Sequence, residues 1–155
     1  MSKSLKRVRA ALEAAGLNID IIEMSDGTRT AEDAAAAAGC ALDQIVKSMM
    51  FQGADGQAVL FLTAGGNQVD IQKASQVAGQ ALTRADAALV RAQTGFAIGG
   101  VAPVGHLTPC KAFLDSRLLD FAQVWAAAGT PRHIFAADPK EIQTLSNAQV
   151  ADFTS

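Results

Sequence analysis

The sequence predicts an α/β (α+β) fold in a single compact domain that covers residues 1–155. A length of 155 residues with a hydrophobic fraction of 50% is enough for one buried core. Segments with apolar residues at helical spacing alternate along the chain with short apolar runs of the kind that form strands. No long internal repeat recurs and no linker divides the chain, so we predict one domain.

Spacing and capping residues predict the helices. The first helix covers residues 4–15, where apolar side chains recur at helical spacing. Later helices start after residues whose side chains can accept hydrogen bonds from N–H groups of the first turn. These N-caps are Thr30, Asp70 and Asp138, the last followed by Pro139 at the first helical position. The other helical segments are a single turn starting at Asp43 and residues 85–93, while residues 115–121 form a charged turn or a short helix.

Short apolar runs bounded by turn residues predict the strands. The pair Asp55–Gly56 between two of these runs is typical of a hairpin turn. A turn at residues 25–27 follows the first strand. The predicted strands are residues 19–24, 45–51, 58–63, 112–115 and 133–136, and residues 124–126 are a further apolar segment.

Lys47 is unusual because it lies within an apolar strand. Side chains alternate between the two faces of a strand, so Lys47 shares a face with Ile45, Met49 and Phe51. A lysine is rarely buried without a partner. Two interpretations are open: the side chain extends along the strand end to keep its ammonium group in water, or the ammonium group faces a pocket for an anion or a carbonyl.

Residues 96–106 are predicted to form a loop that lines a site. Gly99, Gly100, Pro103 and Gly105 fall among apolar residues in a pattern that fits no regular element. Glycine lets backbone N–H groups come close to a ligand, and proline stiffens the chain. The segment lacks the lysine and hydroxyl of a P-loop, and its glycines do not fit G-x-G-x-x-G. A tight connection between strands is the alternative interpretation.

Composition and charge argue against several protein classes. The 13 Lys and Arg residues are outnumbered by 15 Asp and Glu residues, which gives a net charge of -2. Proteins that bind nucleic acid mainly through phosphates are usually basic, so no DNA binding is expected and any nucleic-acid contact must be local. Two cysteines are too few for a disulfide framework. With no signal peptide or membrane-spanning run, we expect a cytoplasmic protein without membrane association.

Four segments, in this order and spacing, resemble the YbaK/prolyl-tRNA synthetase-associated domain family. They are residues 28–32, 45–48, 69–70 and 94–106. This family includes free-standing deacylases of mischarged tRNA(Pro) and the editing domain inserted into bacterial prolyl-tRNA synthetase. The resemblance covers nearly the whole chain and favours the free-standing branch. It implies a mixed, barrel-like β-sheet flanked by helices, and hydrolysis of the ester that joins a wrong amino acid to the terminal adenosine of tRNA.

The resemblance also implies a set of site residues. Lys47 is the implied catalytic residue. The polar residue that some relatives carry near the penultimate turn matches Thr130 only loosely, with His133 as the other candidate. No metal or cofactor is implied, and the implied partners are the acceptor end of mischarged tRNA(Pro) and prolyl-tRNA synthetase. The implied substrate-binding residues are Ser48, Gly99, Gly100, Val101, Pro103, Gly105, His106 and Thr130.

These residues suit hydrolysis of an activated ester without a protein nucleophile. Lys47 can donate hydrogen bonds to a phosphate or a substrate oxygen. Backbone N–H groups of residues 99–101 can stabilise the oxyanion, and the hydroxyl beside the ester can activate the attacking water. A small pocket would accept a short side chain such as that of cysteine or alanine and would reject the proline ring by steric clash.

Three other functions compete with this hypothesis. A catalytically silent module could keep the fold and bind aminoacyl-tRNA or regulate a partner, although Lys47 beside an intact glycine loop argues against it. A metal or thiol enzyme would need His106 and Cys110, but Pro109 spoils a helical pair. The basic face of the first helix could bind tRNA alone or could simply be solvated; its residues are Lys3, Lys6, Arg7 and Arg9.

Overall fold

The structure, a computed structural model, describes residues 2–24 and 30–155, so the predicted turn at residues 25–27 lies outside the described residues. The helices are α1 (Lys3–Ala14), α2 (Ala31–Ala38), α3 (Ile71–Ala78), α4 (Ala87–Thr94) and α5 (Pro139–Ser146). The strands are β1 (Ile21–Glu23), β2 (Val46–Gly53), β3 (Ala58–Ala64), β4 (Leu82–Arg84), β5 (Lys111–Asp115), β6 (Val124–Ala127), β7 (His133–Ala137) and β8 (Gln149–Ala151). Short 3-10 helices cover Leu42–Gln44 and Ser116–Asp120.

The strands form two separate sheets. The larger sheet has the order β4-β2-β3-β5-β8 and is mixed, because β2 is antiparallel to both neighbours while β5 is parallel to β3 and β8. The smaller sheet has the order β1-β7-β6 and is antiparallel. The predicted mixed α/β domain is confirmed, but the barrel-like description needs correction since neither sheet closes on itself.

The predicted helix N-caps are confirmed. Thr30 accepts a hydrogen bond from the Asp33 N–H, Asp70 caps α3 and Asp138 caps α5. Asp43 lies inside the short 3-10 helix rather than at its start. None of the described helices is long and apolar enough to cross a membrane.

The hydrophobic core lies on both faces of the larger sheet. Every residue of β3 is buried, which explains why its sequence is apolar without alternation. On one face, Phe61 packs against Phe51, Phe113 and Phe153 with ring centroids 4.9–5.5 Å apart. The other face packs on α1, α4, α5 and the smaller sheet through residues that include Leu60, Leu62, Leu114, Val8 and Phe135.

A buried carboxylate fixes the turn that follows β3. Asp115, 5% exposed, accepts hydrogen bonds from the Ala64 N–H at 3.1 Å, the Asn67 side-chain amide at 2.9 Å and the Arg117 N–H at 3.0 Å. Burying a charge is tolerated only when hydrogen bonds replace its water shell. Asp115 therefore determines the position of the Asn67 backbone beside the sheet.

We expect Asp115→Ala to lower the free energy of unfolding by about 2–4 kcal/mol, because it leaves buried N–H groups without an acceptor. The matched control is Asp120→Ala, since the Asp120 side chain is exposed and pairs with Arg117 at the surface. The control should change the free energy by less than about 1 kcal/mol. Urea unfolding curves of both variants measure this, and similar losses in the two would contradict the role given to Asp115.

Candidate active site

A pocket of about 350 Å³ opens between the two sheets, at the first half of β2. Strand β4 pairs with β2 only from Phe51 to Gly53, and the bridge between Ile45 and Trp125 closes the opposite end. The edge of β2 between these contacts is open and forms one pocket wall. This volume lies at the small end of the range for ligand pockets, which suits a small molecular fragment.

The other walls are mostly apolar and come from elements far apart in sequence. Ala31 and Ala34 of α2 form one side, and Trp125 and Ile134 of β6 and β7 form another. Ile98, 57% exposed, stands at the loop side of the pocket. The sequence did not single out the four residues of α2, β6 and β7, because small and apolar side chains in regular elements look the same whether they face a core or a pocket. Ile98 belongs to the loop that was predicted to line a site.

Lys47 lines this pocket from β2. Its ammonium group donates a hydrogen bond to the Asn67 carbonyl oxygen at 2.5 Å, and the contact is partly buried. Within residues 2–24 and 30–155, Lys47 forms no ion pair with a carboxylate. An ammonium group has three donors, so two remain for a ligand.

The open edge of β2 directs one backbone amide toward the pocket side. Gly53 N–H bonds the Gln57 carbonyl across the hairpin, whereas the Met50 carbonyl accepts from Ala85 on the opposite side. Backbone groups of an antiparallel strand alternate between its two edges. Ser48, two residues from Met50, therefore turns its N–H and C=O away from β3, toward the open edge.

The glycine-rich loop docks onto the same strand. The Ser48 hydroxyl donates to the Val101 carbonyl oxygen at 2.7 Å. Gly100 N–H donates to the Ala97 carbonyl at 3.0 Å, so it is already used inside the loop. In the part of the chain that the structure describes, the N–H groups of Gly99 and Val101 bond no other residue, although both residues line the pocket. The two amides are therefore candidate donors to a ligand oxygen.

Gly100 allows two loops to touch through their backbones. A Cβ atom at this position would lie 2.7 Å from the carbonyl carbon and 2.8 Å from the Cα atom of Thr130. Backbone atoms cannot yield as a flexible side chain would. The absence of a side chain at Gly100 thus fixes the distance between the glycine-rich loop and the turn that carries Thr130.

Thr130 and His133 form a hydrogen-bonded pair on the pocket wall. The Thr130 hydroxyl lies 2.6 Å from His133 Nδ1 and accepts from the Arg132 N–H at 3.2 Å. This arrangement favours donation from the hydroxyl to Nδ1, which leaves the ring proton on Nε2. Nε2 lies 3.8 Å from a carboxylate oxygen of Glu23. His133 therefore orients Thr130 and has no free nitrogen lone pair in this tautomer.

The rest of the glycine-rich loop lines a second pocket of about 270 Å³. Pro103, Gly105 and His106 lie there rather than in the first pocket. The structure thus brings Lys47, Ser48, Gly99, Val101 and Thr130 together, with Gly100 behind them, and separates the other three predicted substrate-binding residues.

His106 is engaged within the protein. One ring nitrogen, Nε2, lies 2.6 Å from the Ala102 carbonyl, and the other lies 3.5 Å from Cys110 Sγ. Burial lowers the pKa of His106 and raises the pKa of the Cys110 thiol to about 11, which makes that thiol a poor nucleophile. No cluster of three or more potential metal ligands occurs in the described ranges.

Comparison with known proteins identifies the family of this chain. The aminoacyl-tRNA editing domain family matches residues 25–145. The chain belongs to this family. This editing domain is 33% identical to the uncharacterized protein YwhH of Bacillus subtilis (strain 168). The alignment spans 147 residues, which are 95% of this chain and 94% of the relative.

Two solved structures extend the comparison. The crystal structure of "a putative trans-editing enzyme for prolyl tRNA synthetase" is 49% identical to this editing domain, with a TM-score of 0.94 over 100% of this chain and 99% of that chain. The crystal structure of hypothetical protein APE2540 is 28% identical, with a TM-score of 0.87 over 96% and 99% of the two chains. The fold of the whole described domain is therefore that of the family.

The lowered pKa of His106 predicts a pH-dependent stability. Burial makes the pKa of this ring lower in the folded state than the ordinary value of 6.5 at which the unfolded chain binds a proton. The unfolded state then binds more protons as the pH falls, so stability is complete above pH 6.5 and declines below it. As the pH is lowered below 6.5, we expect the free energy of unfolding of the wild type to fall more steeply than that of His106→Gln. The difference between the two slopes is at most about 1.4 kcal/mol per pH unit.

Glutamine at position 106 can still donate to the Ala102 carbonyl but does not titrate, so the difference between the two proteins isolates the ring. Urea unfolding at pH 7.5, 6.5 and 5.5 measures it. Parallel pH profiles for the wild type and the variant would show that the ring titrates alike in both states, against this account.

Proposed function

We propose that this editing domain is a trans-editing deacylase that hydrolyses the ester between a small amino acid, such as cysteine or alanine, and the terminal adenosine of tRNA(Pro). One observation carries the proposal: in the described part of the chain, an ammonium group without an ion-paired carboxylate and two loop amides without hydrogen-bond partners belong to residues that line the same small pocket. The solved structure that is 49% identical is described as a putative trans-editing enzyme for prolyl tRNA synthetase, and this supports tRNA(Pro) as the substrate class.

Lys47 supplies the positive charge. Of its three donors, one holds the Asn67 carbonyl, and the others are available to the terminal phosphate or to an oxygen of the ester. Asp115 holds the Asn67 side chain and thereby steadies the carbonyl that anchors the lysine. An ammonium group positioned before the substrate arrives loses little freedom on binding, which is the basis of electrostatic stabilisation of a transition state.

Backbone amides take the developing negative charge on the carbonyl oxygen. Gly99 and Val101 are the candidate donors, and the Ser48 N–H on the open edge of β2 is a third. Gly100 is not a donor in this proposal since its N–H bonds Ala97. The hydrogen bond from the Ser48 hydroxyl to the loop fixes the distance between the backbone amide of β2 and those of the loop.

The described residues that line the pocket include no carboxylate that could act as a base for the attacking water. Both ring nitrogens of His133 already have neighbours, since Nδ1 contacts the Thr130 hydroxyl and Nε2 faces the Glu23 carboxylate. The hydroxyl next to the ester on the terminal ribose is therefore proposed to position and activate the water. An aminoacyl ester is reactive enough for this modest assistance.

Selectivity follows from fixed walls. Trp125, Ile134 and Val46 belong to strands, and strand side chains cannot move aside without disturbing the sheets. A pocket of about 350 Å³ that also holds part of the adenosine leaves space for a short side chain. An amino acid with a larger side chain is then rejected by steric clash, more strongly than one that merely lacks a methylene group. A second sieve excludes larger substrates in this way.

Replacing Lys47 tests the charge. We expect Lys47→Met to lower the rate of deacylation of alanyl-tRNA(Pro) about 100- to 1,000-fold, the range for loss of one transition-state donor. Lys140→Met, which removes an exposed cation from α5, is the control and should hydrolyse at the wild-type rate. Single-turnover release of labelled alanine measures both. A wild type that binds this tRNA without releasing alanine would instead make the chain a silent binding module.

Replacing the hydroxyl next to the ester by hydrogen tests the source of the base. A tRNA(Pro) that carries this deoxyadenosine at its end should be hydrolysed at least about 100-fold more slowly, since general base assistance contributes this much. Binding should change little, as judged by competition with the intact substrate. Turnover equal to that of the intact substrate would show that a protein group activates the water.

A further inference from the structure

The basic face of α1 separates into two kinds of residue. Lys3, Lys6 and Arg9 are exposed, as expected for a solvated or phosphate-binding face. Arg7 is half-buried. Its guanidinium group makes two hydrogen bonds to a loop that lies 98 and 87 residues away in sequence. Sequence reasoning grouped the four together because spacing alone does not show which side chain meets a loop.

The segment that Arg7 contacts is a closed loop. The Leu107 N–H donates to the Thr94 carbonyl at 3.1 Å, and the Thr108 N–H donates to the Gln93 carbonyl at 2.8 Å. These bonds join the two ends of residues 95–106, so the segment is an Ω-type loop with a narrow neck. Its near side contributes Gly99 and Val101 to the first pocket.

Arg7 sits at this neck and contacts both ends of the loop. Its Nε donates to the Gly105 carbonyl at 3.1 Å, and one terminal nitrogen donates to the Thr94 carbonyl at 3.3 Å. The guanidinium carbon lies 5.0 Å from the centroid of the Phe96 ring, within range of a cation–π interaction. A Cβ atom at Gly95 would overlap the guanidinium group, so glycine there makes room for it.

We propose that Arg7 is a positioning residue of the editing site, which holds the glycine-rich loop in the form that presents Gly99 and Val101 to the pocket. This inference rests on the proposed function for its catalytic consequence, but the clamp on the loop stands on contacts alone. Arginine suits the task because its planar group offers several donors in fixed directions and stacks on a ring, whereas lysine offers a compact charge on a flexible chain.

The same helix supports the opposite wall. A Cβ atom at Gly129 would lie 2.8 Å from the Ser4 carbonyl oxygen, so the turn before Thr130 packs directly on the α1 backbone. Helix α1 thus lies behind both loops that meet at Gly100 and Thr130. The loop has a side-chain hydrogen bond to β2 at Ser48, and Arg7 fixes its ends from behind.

The experiment compares Arg7→Gln and Arg7→Lys with Arg9→Gln, a matched loss of charge from an exposed position of the same helix. Hydrogen exchange by mass spectrometry follows residues 95–106, with β3 as an internal reference for global unfolding. In Arg7→Gln we expect exchange in the loop to accelerate at least about tenfold, as for loss of a charge-assisted hydrogen bond, while β3 is unchanged. Arg7→Lys should fall in between, and Arg9→Gln should match the wild type.

Kinetics supply the second readout. For alanyl-tRNA(Pro), Arg7→Gln should lower kcat about 10- to 100-fold, as for a small misplacement of catalytic groups, with KM within about threefold of wild type. Unchanged exchange in residues 95–106, an equal acceleration in β3, or the same effects in Arg9→Gln would each overturn the proposal. If loop exchange accelerates but the wild type hydrolyses no aminoacyl ester, the proposed function fails while the clamp is supported.

Discussion

The site depends on a contact between two backbones. Gly100 lies against Thr130 with no room for a side chain between them, and this contact closes the pocket between the larger and the smaller sheet. The Ser48 hydroxyl then fastens the loop to β2, the strand that carries Lys47. The charge, the amides and the apolar walls come from five different parts of the chain, and this junction determines their separation.

The chemistry available at this junction is electrostatic rather than nucleophilic. The half-buried His106 and Cys110 lie in the second pocket, the pKa of the Cys110 thiol is raised to about 11, and His133 is held by Thr130 and Glu23. Among the described residues, the first pocket holds an ammonium group with spare donors and backbone amides without hydrogen-bond partners. Such a site suits a substrate that is already activated and that brings its own hydroxyl, as an aminoacyl-tRNA does.

Much of the fold followed from local rules. Thr30, Asp70 and Asp138 cap helices because a side-chain oxygen satisfies free N–H groups whatever the tertiary context. Strands β4 and β8 were not predicted, since each has three residues and acquires its strand geometry by pairing with a neighbour already in place. Lys47 stood out from alternation because a charge in an apolar strand violates the pattern.

The site was less predictable than the fold, for a physical reason. The glycine-rich loop was predicted from its sequence, but one part of it lines the first pocket and the other part lines the second. Which part faces β2 cannot be deduced from the spacing of the glycines. The pocket walls from α2, β6 and β7 carry ordinary apolar residues. Arg7 was predicted to belong to a basic face that is either solvated or binds tRNA, whereas its contacts with Thr94 and Gly105 depend on long-range packing of α1.

The most direct test of the central claim is a panel of tRNA(Pro) molecules charged with different amino acids, each incubated with the wild-type protein under single-turnover conditions. The account predicts rapid hydrolysis of the esters of small amino acids and survival of prolyl-tRNA(Pro), because the fixed walls around Lys47 admit a short side chain and exclude the ring. Equal hydrolysis of the prolyl ester, or hydrolysis of none of the esters, would contradict it.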